Sequence, residues 1–420
     1  MGKRIILTTF GSLGDLHPHL ALARALLSRG HTPTIAAAEA YRAKVESLGI
    51  SFAPVGPNIT PDDPELMRDV MDLRKGPEVV QRRLVMPYLR STYEELGALL
   101  TGADLLVCSE LSHAGRVAGD RLGVPWVSTV LAPFSMFSTH DPSVMPLSAS
   151  WLPVHRMGRL ANRLLFALAR RATREWGEPI QALRQEVGLP RGPHPIIDGT
   201  FSSRRVIAMF SPRFGPPQAD WPAAAVAAGF PFFDEDEVES AEADRLERFL
   251  VAGPPPLVFT LGSSAVHAAG GFYEASVAAA RTLGERAVLL VGSDPRNRPA
   301  GPLPDSVLCV EYAPHGKLFA RARAVVHQGG IGTTAQALRS GHPMIVVPFG
   351  FDQPDNAARA ARLGVARTVR RDRFTEGTIT TELRALLADG SYAQRAAEVG
   401  AAIDAEDGLR TACEWIEAAA

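Results

Sequence analysis

Short apolar runs alternate along the chain with longer stretches whose apolar residues recur every three or four positions. The runs at 4–10 (RIILTTF), 32–38, 105–109, 125–130 and 205–210 have the length and β-branched content of buried strands. Residues 18–30 (PHLALARALLSRG) carry apolar residues at helical spacing, with Pro18 near the start and Gly30 as the stop. Residues 40–49 predict a second helix. The alternation resumes after residue 250, with strand-like runs at 256–262, 286–292, 306–312, 323–329 and 343–349. Strands that alternate with helices predict βαβ units and parallel sheets.

Between the two series lies SPRFGPPQADWP (211–222), rich in Pro and Gly, followed by an acidic stretch over 233–244. Both features predict a linker. The expected organisation is α/β. It has one Rossmann-like domain over 1–215 and a linker with the start of a second domain over 216–250. A second Rossmann-like domain spans 251–400 and a C-terminal helix spans 401–420. Ligands of such sheets bind at the carboxyl ends of the strands. Two facing sheets therefore predict a ligand cleft between the domains. Residues 131–156 follow a strand end and scatter apolar and aromatic residues through an irregular stretch. Phe134, Met136 and Phe137 are expected to contact an apolar ligand there; the plainer alternative is a surface connection.

Composition narrows the partners. A chain of 420 residues with 46% apolar and 21% charged residues suits two conventional cores. The net charge of −1 argues against a broad nucleic-acid footprint. Cys108, Cys309 and Cys413 are scattered without a CxxC pair, so reduced thiols in the cytoplasm are expected rather than disulfides or a zinc site. The N-terminal apolar run is too short for a signal peptide, and no run approaches the roughly 18 apolar residues of a membrane span. The pattern sets no oligomeric state.

The chemistry concentrates in HQGGIGTTAQALRSGHPMIVVPFGFDQPDN (327–356). A strand delivers His327 to its carboxyl end. Gly329, Gly330 and Gly332 then let backbone approach a ligand without Cβ clashes. A helix beginning near Thr333 would aim unpaired N–H groups and the positive end of its dipole at that ligand. Such a turn suits a diphosphate, with Thr333 and Thr334 as hydroxyl donors. It is neither a P-loop nor the dinucleotide fingerprint. Asp352 and Gln353 sit at the next strand end. A carboxylate beside an amide matches the vicinal hydroxyls of a sugar. The same residues suit the start of a helix at 354–363, with Pro354 at its first position.

The stretch 311–356 resembles the nucleotide-sugar signature of glycosyltransferase family 1, whose members have the two-domain GT-B architecture. FTLGSS (259–264) and TFGSLGDLHPHLALARALLSRGH (9–31) extend the resemblance over most of the chain. It is similar to bacterial rhamnosyltransferases and to sterol and antibiotic glycosyltransferases. The resemblance implies that Tyr312 stacks on the nucleotide base and that His327 binds phosphate. It implies that Ser263, Gly330, Gly332 and Thr333 form the diphosphate cradle, and that Asp352 and Gln353 hold the donor sugar. Gln336 stands where many members carry the Glu that holds the ribose hydroxyls, which leaves the nucleotide open.

At the N-terminal loop, Asp15 falls in the position of the general base, with His17 as the alternative. A helix-cap role for Asp15 competes with this. The region matching the family's supporting acid offers Ser109, Glu110 and His113. An Asp15–His17–His19 metal site lacks a further carboxylate. DED at 234–236 reads as a solvated charge run.

The implied activity is inverting, metal-independent transfer of a hexose. UDP-glucose is the first donor on family frequency, and dTDP-rhamnose or another dTDP-sugar the second. The acceptor is a hydroxyl of a small hydrophobic molecule: a phenolic natural product, a sterol or a hydroxy-lipid. No cofactor is expected beyond the nucleotide-sugar co-substrate. The rivals are a nucleotide-sugar epimerase or hydrolase, and a non-catalytic binding partner.

Overall fold

A computed structural model describes residues 2–59, 64–144, 157–234 and 241–420. Strands β1 (Arg4–Thr8), β2 (Thr32–Ala37), β3 (Ser51–Pro54), β4 (Leu105–Cys108), β5 (Trp126–Val130), β6 (Val206–Ala208) and β7 (Ala225–Ala227) form one sheet. Among the described residues its order is β3-β2-β1-β4-β5-β6-β7, and every pair is parallel. Strands β8 (Leu257–Thr260), β9 (Ala287–Leu290), β10 (Val307–Val310), β11 (Ala324–His327), β12 (Met344–Val346) and β13 (Ala366–Thr368) form a second parallel sheet. Its order is β10-β9-β8-β11-β12-β13. The strand order reverses beside the first strand of each sheet, where doubly wound folds place their ligands.

Register decides which turns become neighbours. In the first sheet Thr8 pairs with Cys108 and Cys108 with Ser128, so the loops leaving β1, β4 and β5 emerge side by side. In the second sheet His327 pairs with both Thr260 and Val346, so the turns after β8, β11 and β12 emerge level. The central strands are fully buried, as parallel sheets covered on both faces require.

The chain divides into two compact units: Met1–Asp62 with Arg74–Phe233 and Asp407–Ala420, and Asp63–Leu73 with Asp234–Glu406. These limits differ from the expected boundaries at 215, 250 and 400. Strand β7, after the Pro/Gly-rich stretch, completes the first sheet and carries that unit to Phe233. The C-terminal stretch is not one helix. One helix ends at Asp404, and Asp407 caps another at Gly408–Glu417 by accepting from the Arg410 N–H. That last helix buries Ala412, Cys413 and Ile416 in the core of the first unit with Leu20, Leu26 and Ile35. Glu417 accepts from Arg29 at 2.6 Å and bonds His31 at 2.9 Å, and these bonds, that from Arg29 foremost, lower its carboxyl to about 2. Met71 is buried in the core of the second unit beside Phe349 and Ala265, which accounts for the presence of 63–73 there.

Candidate active site

In the second unit, β11 ends at His327 and the helix Ile331–Arg339 starts four residues later, with Gly330 as N-cap. Gly329 has φ +91, and a Cβ on it would lie 2.7 Å from Val346 Cγ1. Only glycine fits that position. Gly332 is exposed, and a Cβ there would meet nothing within 4 Å, so the first turn of the helix opens outward. Ser263, on the turn after β8, is half-buried, and Gly262 at φ +62 leaves room for the Gln328 amide, 2.3 Å from where its Cβ would be. Gln328 thus lies between the turns after β8 and β11.

The turn after β12 is built around Gln353. Its Oε1 accepts from the Phe349 N–H at 2.7 Å and the Gly350 N–H at 3.1 Å. Phe351 sits at φ 54, a left-handed conformation that costs a non-glycine residue about 1–3 kcal/mol and that clusters at ligand sites. Asn356, one turn into the helix Gln353–Arg362, donates through Nδ2 to the Gly329 carbonyl at 2.9 Å and to Asp352 Oδ2 at 2.7 Å. One side chain therefore ties the glycine turn to the Asp-Gln turn. Gln336 donates to Asp234 Oδ1 at 3.2 Å and accepts from Arg339 Nη2 at 2.8 Å, while Arg339 pairs with Asp234 at 2.7 Å. Gly316 backs onto this trio, and Tyr312, half-exposed, precedes it with its ring 6.4 Å from His315.

In the first unit, the loop after β1 enters the helix Leu13–Ser28 through a capping box. Asp15 Oδ2 accepts from the Ser12 N–H at 2.8 Å, and Ser12 Oγ accepts from the Gly14 N–H at 3.2 Å. Gly11, at φ +135, makes room, since a Cβ there would fall 2.2 Å from Asp15 Oδ2. Burial pushes the carboxyl up to about 6 against the lowering effect of the Ser12 hydrogen bonds. His19 lies behind it. Its Nδ1 donates to the Asp15 carbonyl at 2.7 Å and its Nε2 meets Thr129 Oγ1 at 3.0 Å. Burial lowers this imidazole to about 4, so it is neutral.

Glu110, at the end of β4, accepts from the Leu131 N–H at 3.2 Å and from Ser135 Oγ at 2.7 Å. It thereby fixes the 3₁₀ turn Pro133–Met136. Farther along, Asp220 accepts from Ser138 Oγ at 2.6 Å and from the Thr139 N–H at 2.7 Å. Buried Arg116 donates to the carbonyls of Ser109 and Glu110 at 2.7 and 2.6 Å and to His113, which in turn meets Gln81 at 3.1 Å. Gln81 belongs to a π-helical turn, Val80–Val85, a form that recurs at functional sites. Between that turn and the ends of β1 and β4 lies a narrow recess of about 30 Å³, with Thr9, Phe10, Val55, Leu89 and Leu111 among its walls. Its lining is mainly apolar.

Residues 5–98 match the Glycosyltransferase family 28 N-terminal domain, and residues 282–408 match the Erythromycin biosynthesis protein CIII-like, C-terminal domain. The chain is 34% identical over 435 residues to an O-mycaminosyltylonolide 6-deoxyallosyltransferase of Streptomyces fradiae, covering 99% of this chain and 97% of that protein. The chain belongs to the glycosyltransferases. A sterol 3-beta-glucosyltransferase of Neosartorya fischeri is 28% identical over 98% of this chain, which spans 29% of that longer protein. Among solved structures, spinosyn rhamnosyltransferase SpnG complexed with thymidine diphosphate superposes with a TM-score of 0.68 at 19% identity, covering 99% of this chain and all of that one. The two sheets and this likeness establish the GT-B fold.

In this glycosyltransferase, Ser263, Gly330, Gly332, Asp352 and Gln353 gather on three level turns. Two other expected contacts face inward. His327 is fully buried: its Nδ1 accepts from the Gly329 N–H at 3.1 Å and its Nε2 meets Met344 Sδ at 3.3 Å. Burial lowers it to about 3, so it underpins the turn as a neutral ring. Thr333 is buried and accepts from Gln328 at 3.3 Å. In the first unit Met136 is buried while Phe134 and Phe137 are half-buried, and none of the three lines the recess. His17 rests against Phe233, ring centroids 5.0 Å apart. His19, with both nitrogens engaged, is unavailable to a metal. Asp234 of the acidic stretch is occupied by Arg339; Glu235 and Asp236 lie outside the described residues. Sequence reasoning passed over Gln328, Asn356 and the 80–96 wall of the recess, because only the strand register and the packing bring them to the sites.

Proposed function

We propose that this glycosyltransferase moves a deoxyhexose from a thymidine diphosphate sugar to a hydroxyl of a hydrophobic, macrolide-like acceptor. The observation that carries the reading is the open N-terminus of the helix Ile331–Arg339, level with Ser263 and Gln353. Backbone N–H groups there can hold a leaving diphosphate, and the helix dipole favours its charge. The preference for a deoxyribonucleotide rests on Gln336. Its amide is satisfied by Asp234 and Arg339, so it makes no demand for a ribose 2′-hydroxyl. The 6-deoxyallosyltransferase and the thymidine diphosphate complex among its relatives support the same choice over UDP-glucose.

The acceptor binds on the first unit, beside the loop after β1 that carries Asp15. Asp15 takes the hydroxyl proton as the acceptor oxygen bonds to the anomeric carbon and the bond from that carbon to the diphosphate oxygen breaks. The configuration inverts. The helix N-terminus supplies positive potential at the diphosphate, so turnover is expected to persist in excess EDTA.

The test is a donor-by-acceptor matrix in EDTA, read by mass spectrometry. It pairs dTDP-rhamnose and UDP-glucose with a macrolide aglycone, a phenol and a sterol. The expected result is a glycoside from the dTDP-sugar, with kcat/KM for UDP-glucose lower by about tenfold or more. Equal use of UDP-glucose would overturn the donor assignment. Free sugar released at the same rate without acceptor would make the protein a hydrolase.

A further inference from the structure

The helix Arg159–Ala172 in the first unit turns two faces to its surroundings. The inner one is anchored: Asn162 donates to the Thr139 carbonyl at 3.1 Å, and Phe166 meets Phe137 edge-on at 6.3 Å. The outer one carries Leu160, Leu164 and Leu168, which are 81%, 62% and 55% exposed, with Met157 at 54% just before the helix. A spacing of four aligns the leucines in one row. Single exposed leucines are ordinary on a protein surface, but a row of them marks a contact face.

The charge around the row is one-sided. Between Met157 and Arg174 the sequence has Arg159, Arg163, Arg170, Arg171 and Arg174 and no Asp or Glu. Arg170 pairs with Asp198 at 2.7 Å and Arg174 approaches Glu178 at 3.9 Å. Arg159, Arg163 and Arg171 are exposed and have no carboxylate partner among the described residues. Arg163 lies about 100° around the helix from Leu164 and flanks the row; Arg171, one turn beyond Leu168, closes its end.

A second copy docked by the same face in two-fold symmetry would set these arginines against the same arginines, with no carboxylate on the helix to offset them. An anionic bilayer surface meets both demands. The leucines enter the boundary between headgroups and acyl chains, and the guanidinium groups bond lipid phosphates. No described helix is long and apolar enough to cross a membrane, so the contact is peripheral. We propose that the helix Arg159–Ala172 seats this protein on an anionic lipid surface, with Leu160, Leu164 and Leu168 embedded and Arg163 and Arg171 on the headgroup phosphates.

The experiment sediments the full chain with vesicles of phosphatidylcholine, with and without phosphatidylglycerol. Binding is expected on the mixed vesicles and weaker by more than about tenfold on phosphatidylcholine alone. Leu164→Ser with Leu168→Ser, and separately Arg163→Glu with Arg171→Glu, should each reduce partitioning by more than about tenfold without changing the melting temperature. Cys108, Cys309 and Cys413 are buried, so Leu160→Cys provides an accessible thiol for a polarity-sensitive dye. Its emission should shift to the blue on the anionic vesicles only. No binding, equal binding to both vesicle types, or binding that both double variants retain would overturn the proposal. A dimer in sedimentation equilibrium that Leu164→Ser dissociates would overturn it too, and give the face to a second copy.

Discussion

At Asp15, burial outweighs the hydrogen bonds from Ser12 and raises the carboxyl to about 6 from an ordinary value of 3.8. A raised carboxyl is a stronger base, and at neutral pH most of it is still ionised. In the proposed role of base the ionised form is the reactive one, so kcat/KM should fall as pH drops through about 6. The stability linkage runs the other way. The folded state binds this proton more tightly than the unfolded one, so Asp15's contribution is present below 3.8 and is lost as pH rises through 6. Asp15→Asn keeps an oxygen for the Ser12 N–H and removes the basicity. It should lower turnover by roughly 10²–10⁴-fold, abolish the acid limb of the pH–rate profile and leave the melting temperature nearly unchanged. A profile that keeps its limb near 6 in that variant would move the base elsewhere, to His17 first.

The glycine turn illustrates what an element owes to its neighbours. Its local order was legible from residue types alone: a strand, then Gly329 and Gly330, then a helix. The direction in which His327 faces was not, because it depends on Met344 across the β11–β12 pairing. Nor was the pairing of Asp234 with Arg339, which spans the acidic stretch and the last turn of a helix far along the chain. Strands β3 and β13 lie in sequence that mixes apolar and polar residues, and β7 lies in an alanine-rich run (223–228) that suits helix as well as strand, so periodicity alone passed over them. The first helix begins at Leu13 rather than near Pro18, and its start signal, Ser12-x-x-Asp15, stood in the sequence as a capping box. Asn356 gives the turn its second support. Asn356→Ala should cost about 1–3 kcal/mol in denaturant unfolding, since it leaves the Gly329 carbonyl unpaired. It should raise KM for the donor more than it lowers kcat. Asn356→Asp, which cannot donate to that carbonyl, should be no better than the alanine variant; full rescue by aspartate would show that the Asn356 hydrogen bonds do not hold the turn.

Across the whole molecule, the order of residues and the order of folded parts disagree. The α/β class, the two sheets and the approximate midpoint of the chain followed from the alternation of runs and helices. The membership of 63–73 and 407–420 did not, because neither stretch differs in composition from the sequence around it. Each is assigned by a few buried side chains: Met71 in one case, and Ala412, Cys413 and Ile416 in the other. Deleting 407–420 uncovers those three from the first core. Burying a side chain such as Ile416 is worth about 1.5–3 kcal/mol, so the loss should reach several kcal/mol. Calorimetry should then show the transition of the first unit lowered by roughly 10 °C or more, with that of the second unit little moved. Equal lowering of both would place the helix with the second core as well.

The stretches 74–233 and 407–420 fold into the same unit, on either side of 234–406, and this governs how such enzymes can be recombined. A hybrid made by a single crossover near residue 234 would join a foreign tail helix to this N-terminal core. It would also leave 63–73 facing a core that did not evolve with it. Two junctions, one at 233–234 and one at 406–407, move the second unit as an inserted cassette and keep the last helix with its own partners. The strap at 63–73 must travel with the cassette as a separate graft. The smallest exchangeable module in this protein is therefore discontinuous in sequence.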